Sequence, residues 1–217
     1  MDFSLFETIL LYAIPVILAI TLHEAAHGYV ARMFGDSTAY MLGRVTLNPI
    51  KHIDPIGTIA VPLGLLLLSK LAGGGGFLFG WAKPVPVNFA NLRHPKNDMF
   101  WVAAAGPGAN LFMALMWALM LKFAGPLDQP GFFGAMAVQG VIINVVLMVL
   151  NLMPIPPLDG GRIMVSVLPN ALAYRFAQLE RFGFMLVILL MATGVLNRVM
   201  NPLVSATLGL IKTVFGI

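Results

Sequence analysis

Apolar residues run in long blocks along this chain, and polar ones gather between them. Residues 5–34, 56–71, 99–123 and 132–153 are each long enough to consider as membrane spans, and 176–196 makes a fifth. Residues 202–217 form a weaker apolar tail, suited to a short span or an interfacial helix. No segment repeats and no polar stretch would fill an appended soluble domain, so 1–217 reads as a single integral-membrane domain. The longest interruptions, 35–55 and 80–97, each hold an extended-looking piece, over 43–48 and 81–88. Proline confines the second to an edge strand or a polyproline-like segment. The pattern predicts an all-α polytopic membrane protein of five to six transmembrane helices, with short extended edge pieces.

Composition supports this class. Of 217 residues, 59% are hydrophobic and 10% charged, and mean hydropathy is +0.89. A soluble domain carries about 25% charged residues. A cytosolic enzyme and a nucleic-acid-binding domain are excluded, because too little polar surface exists to cover a globule. A formal net charge of +4 then reads as Lys and Arg gathered in cytoplasmic loops. Without cysteine, disulfides, thiolate metal sites and a cysteine nucleophile are also excluded. Asp2 and Glu7 precede the first basic residue, Arg32, so the first apolar run suits a retained span better than a cleaved leader.

Charge placement selects a topology. Arg32, Arg44 and Lys51 follow the first span; Lys83, Arg93 and Lys96 precede the third; Arg162, Arg175 and Arg181 follow the fourth. If every apolar stretch crossed, two of these clusters would face away from the first. If residues 56–79 dip in and return at Gly73-Gly74-Gly75-Gly76, all three share the cytoplasmic face.

The first span contains His23-Glu24-Ala25-Ala26-His27. On a helix, positions i and i+4 share a face, so both imidazoles can reach one metal ion. Glu24, about 100° round the helix from His23, can serve that site without occupying the metal. Each ionisable group at mid-bilayer costs about 2.5–3.5 kcal/mol or more, so three together argue for a common purpose. A catalytic zinc site normally takes a third protein ligand. Met33 stands where an extended motif would need histidine, and Glu180, beside Arg181, suits an exposed ion pair at a helix start. His52 and His94 lie in basic loops and suit solvated or capping roles. Asp159 follows Pro154, Pro156 and Pro157, which bar a helix, and precedes Gly160-Gly161, which permit a close turn. In the re-entrant topology it emerges on the same side as the histidines; in the all-crossing one it does not.

These residues carry a resemblance. The H-E-x-x-H element in the first span and Asn151-Leu152-Met153-Pro154-Ile155-Pro156-Pro157-Leu158-Asp159-Gly160 resemble the site-2 protease family of intramembrane zinc metallopeptidases. Gly106-Pro107-Gly108-Ala109-Asn110 is similar to that family's G-P-x-x-N element, and residues 43–57 and 80–88 look like a short bacterial branch without PDZ or CBS modules. The resemblance implies one zinc ion held by His23, His27 and Asp159, with Glu24 as catalytic base. It also implies transmembrane protein substrates and a place in the bacterial plasma membrane, with the site toward the cytoplasm. Asn151 is the leading candidate for gripping the substrate backbone or the oxyanion, and Asn110 a second; Asn144 suits a buried amide bridging helices. A substrate helix must unwind before hydrolysis, and residues 44–48 or 81–88 could accept it by strand addition. Two alternatives stay open on the residues alone. One is a metal transporter or channel, which leaves Glu24 unexplained; the other is an inactive, protease-like binder of membrane helices, against which the intact Glu24 argues.

Overall fold

In the computed structural model, which describes residues 3–61, 64, 82–123 and 131–217, every regular element is helical. The main helices are α1 (Leu5–Met33), α2 (Thr38–Met41), α3 (Pro95–Phe123), α4 (Phe132–Asn151), α5 (Asp159–Val167), α6 (Asn170–Ala177), α7 (Glu180–Ala192) and α8 (Val195–Phe215). The start of α1 is fixed by a capping box: Glu7 N–H donates to Ser4 Oγ, and Ser4 N–H returns a bond to the Glu7 carboxylate. Its end is a turn through Gly35, whose φ of 113° favours glycine.

Three helices, α1, α3 and α4, are long and apolar enough to cross a membrane. The expected five to six spans reduce to these three among the described residues, or four if α7 and α8 count as one broken span bent by 79°. The reason lies in helix length. At about 1.5 Å per residue, the 13 residues of α7 reach roughly 20 Å, short of a hydrocarbon core of about 30 Å. Gly194, at φ 73°, then turns the chain into α8. Most of the proposed re-entrant segment 56–79, its Gly73–Gly76 run included, lies outside the described residues; Pro55–Ala60 at its start is a π-helical turn.

The core lies between α3 and α4, which make the most extensive contact, with α1 packed against both. Met113, Ala114, Trp117, Ala118 and Leu121 of α3 meet Met136, Ala137, Val141 and Val145 of α4. The C-terminal end of α1 and the N-terminal end of α3 come together, since Arg93 N–H donates to the Phe34 carbonyl at 3.0 Å. Lys96 reaches the Leu168 carbonyl at 2.6 Å and Asn170 Oδ1 at 2.9 Å, tying α6 to that same end. The three basic clusters therefore gather at one end of the bundle.

Neither edge piece forms a strand among the described residues, and 82–88 stays outside any helix. Residues 45–47 bend. Residues 82–88 are held out of helix because Lys83 and Val85 each precede a proline, which disfavours helical backbone, and Pro84 and Pro86 donate no N–H to a ladder.

Asp36 anchors this region. It is fully buried, and its carboxylate accepts bonds from Thr38 N–H at 3.0 Å, Asn88 N–H at 2.7 Å and Asn91 Nδ2 at 3.1 Å, besides the Thr38 hydroxyl. Burial pushes its pKa up, but these donors outweigh burial and hold it below the ordinary value. The stabilisation is thus complete above the ordinary carboxyl range and fades as pH falls through the folded value. Asp36→Asn should cost about 2 kcal/mol at neutral pH by turning a donor toward donors. Unfolding in detergent, followed by tryptophan fluorescence, should show the gap from wild type narrowing below about pH 4.

Candidate metal centre

α1 presents His23 and His27 on one face, one turn apart, and α5 brings Asp159 to them. α5 begins where a turn would be expected: the chain leaves α4 at Asn151, passes Pro154, Pro156 and Pro157, and re-enters helix at Asp159 itself. A carboxylate in the first turn is favoured by the helix dipole. Gly161 permits the tight return, since a Cβ there would stand 2.6 Å from Pro156 N.

The donor atoms converge. His23 Nε2 lies 3.1 Å from His27 Nε2, and the Asp159 oxygens stand 3.2 Å from His23 Nε2 and 3.3 Å from His27 Nε2. All three side chains are buried. Tetrahedral zinc with bonds of about 2.0–2.1 Å places its ligands about 3.3 Å apart, so the spacing fits that ion.

The protonation pattern points the same way. His27 Nδ1 faces the Val102 carbonyl at 2.7 Å, which can only accept, so the proton sits on Nδ1. For His23 the orientation is fixed through two amides. Asn144 Nδ2 donates to the Gly140 carbonyl at 2.9 Å, so its Oδ1 accepts from Asn110 Nδ2 at 3.1 Å. Asn110 Nδ2 also donates to the Ala19 carbonyl, which leaves Asn110 Oδ1 to accept from His23 Nδ1 at 2.7 Å. Both Nε2 atoms therefore direct lone pairs at each other and at a carboxylate. Asp159 Oδ2 is buried without a hydrogen-bond donor. Such a cluster of acceptors calls for a cation at its centre.

Gly106 of α3 completes the cradle. A Cβ there would meet His27 Nε2 and would lie 2.6 Å from His23 Nε2 and Cε1, so only glycine lets α3 approach this closely.

The site opens into a cavity of about 150 Å³ lined by Glu24, Val85, Asn151, Leu158 and Arg162 together with the three donors. Glu24 Oε2 accepts the Val85 N–H at 2.7 Å. Asn151, expected near the substrate, is in the cavity wall, where its Nδ2 donates to the Leu147 carbonyl at 3.0 Å. Asn110 is not in that wall: it is fully buried behind His23, where its amide orients the imidazole. Asn144 bridges helices as expected. His52 departs from expectation, being 2% exposed with Nε2 donating to the Thr46 carbonyl, whereas His94 is exposed at the start of α3, its N–H bonded to Asp98. Glu180 pairs with Arg162 at 3.6 Å rather than with its neighbour Arg181. Sequence reasoning missed the Val102 carbonyl and the Val85 N–H, because a backbone group leaves no signature in residue type. Gly106 was visible only as part of a motif.

Comparison with known proteins agrees with this centre. The model of Peptidase family M50 matches residues 122–193. A Bacillus subtilis (strain 168) protein named "Putative zinc metalloprotease YwhC" is 38% identical over 205 residues, 89% of this chain and 85% of that protein. The Rip2 protein of Mycolicibacterium smegmatis, named in the same terms, is 31% identical over 84% of this chain and 66% of its own length. Its Mycobacterium tuberculosis (strain H37Rv) counterpart is 28% identical over 83% of this chain and 66% of its own length. No solved structure gives a significant match. The chain belongs to peptidase family M50, and it covers most of the length of its Bacillus relative.

Gly106→Ala should place a methyl group among the donor atoms. Zinc bound per purified chain, read by elemental mass spectrometry, should fall at least about tenfold.

Proposed function

We propose that this protein is a zinc-dependent intramembrane endopeptidase, hydrolysing peptide bonds within or near the transmembrane segments of other membrane proteins. The observation that carries this reading is the convergence of three buried donors beside a carboxylate, Glu24, that shares their cavity and holds no donor position. His23, His27 and Asp159 would hold one zinc ion. Bound there, zinc acts as a Lewis acid on the scissile carbonyl and makes water acidic enough to attack at neutral pH.

The chain's own groups divide the remaining work. Glu24 takes the proton of the attacking water and returns it to the leaving amine nitrogen. With Oε2 engaged by Val85 N–H, Oε1 is the oxygen left for that exchange. Asn151 stands in the wall to grip the substrate backbone or the oxyanion. A second, apolar hollow supports access from lipid: Leu22, Ala25, Ala26 and Tyr29 of α1 line it with Val45, Thr46 and Leu47. It would receive an unwound apolar segment beside α1.

Membrane orientation follows the same reasoning. Nine Lys and Arg residues of the three clusters lie toward the end of the bundle that carries the site, which fits a cytoplasmic face at a bacterial plasma membrane. The histidines lie in the second half of α1; at about 1.5 Å per residue, His27 sits roughly 9 Å inside its C-terminal end. Residues 1–217 act as one membrane domain in this reading.

The test is cleavage of a single-span substrate in proteoliposomes. Glu24→Gln should cut about 10²–10⁴-fold more slowly while keeping its zinc. Chelation should stop the wild type and added zinc restore it. Equal rates for wild type and Glu24→Gln would overturn the proposal.

A further inference from the structure

Residues 82–88 pass directly over Glu24, and their placement is fixed on every side. Lys83 N–H donates to the His52 carbonyl at 2.9 Å, and Asn88 N–H to Asp36. Val85, only 6% exposed, rests on Gly28 of α1, where a Cβ would stand 3.0 Å from Val85 Cγ1 and 2.8 Å from Val45 Cγ2. One peptide group of this segment, Pro84–Val85, is engaged at both ends. Its N–H is the one that Glu24 accepts at 2.7 Å. Its carbonyl oxygen lies 3.3 Å from Arg44 Nη2, which also donates to the Lys83 carbonyl at 2.8 Å.

Arg44 is otherwise hard to explain. It is 91% buried by its 9% relative exposure, and among the described residues no carboxylate lies within ion-pair distance of it. Its Nε is buried with no partner. A buried guanidinium without a counter-ion is destabilising, and an apolar residue of similar size would pack there at lower cost. What the charge does secure is two consecutive carbonyls of the segment that supplies Glu24 with its donor.

We propose that Arg44 is a positioning residue for Glu24, acting through the Pro84–Val85 peptide group. A cation on the carbonyl oxygen draws electron density from the amide and makes its N–H a stronger donor. It also pins the plane of that peptide, so the N–H stays aimed at Oε2. Glu24 has three side-chain torsions and lines the cavity it shares with the three donors, and a fixed donor on one oxygen selects one rotamer. Arg44 touches neither substrate nor metal ligand. The inference rests on Glu24 serving as the base.

The experiment is a double-mutant cycle on the full chain in proteoliposomes, with kcat, KM and zinc content measured for each variant. Arg44→Gln should lower kcat by about 10–100-fold, the scale of an ångström's misplacement of a reacting group, with KM and zinc unchanged. Arg44→Lys retains a charged donor and should recover most of that loss. Val85→Pro removes the N–H and should lower kcat by a similar factor, and adding Arg44→Gln to it should lower kcat no further. Losses that multiply in the double variant would overturn the proposal, as would an unchanged kcat or a loss that follows zinc content or KM. If Arg44→Gln fails to fold, Arg44→Met, an apolar residue of similar length suited to the buried site, replaces it in the cycle under the same criterion. Failure of the endopeptidase reading would be seen separately, as equal cleavage by wild type and Glu24→Gln.

Discussion

Two imidazole lone pairs and a carboxylate meet within 3.3 Å inside an apolar bundle, and much of the structure answers that one electrostatic demand. Each of these groups alone would be expensive among α1, α3 and α4. Together they are tolerable only around a positive charge. The backbone then supplies what side chains cannot. The Val102 carbonyl sets the tautomer of His27, and the Gly140 carbonyl, through Asn144 and Asn110, sets that of His23. Gly106 removes the one atom that would otherwise occupy the site.

This arrangement explains why the polar residues of the spans are so few and so connected. Asn110 and Asn144 are both fully buried, and each has its amide engaged. A buried asparagine left half satisfied would cost about 1–3 kcal/mol. Linked in series, they carry orientation from one helix to another at no such cost. The same economy appears at Glu24, one of whose carboxylate oxygens is tied to a backbone N–H.

Hydropathy alone made α1, α3 and α4 legible, because a continuous apolar run is a strong signal and its ends are marked by charge. The H-E-x-x-H spacing located two donors, and a depth argument located Asp159 on the correct side. Three things were not legible. The apolar run at 176–196 was read as a span, and the tail as a short span or an interfacial helix, because composition does not report the 79° bend that follows Ala192, where Gly194 turns the chain. Asn110 was placed at the substrate because an asparagine on a helix looks the same whether it faces a cavity or a histidine. His52 was read as solvated because its loop is basic, yet the fold buries it against Thr46.

The donors also differ in when they are made. His23 and His27 leave the ribosome early, whereas the helix bearing Asp159 follows more than a hundred residues later, after α3 and α4. A growing chain therefore holds only two of the three donors, and Glu24 waits beside a half-formed site. The split of one site across distant segments thus acts as a biosynthetic timer: the hydrolytic centre cannot assemble until the bundle that encloses it has been built.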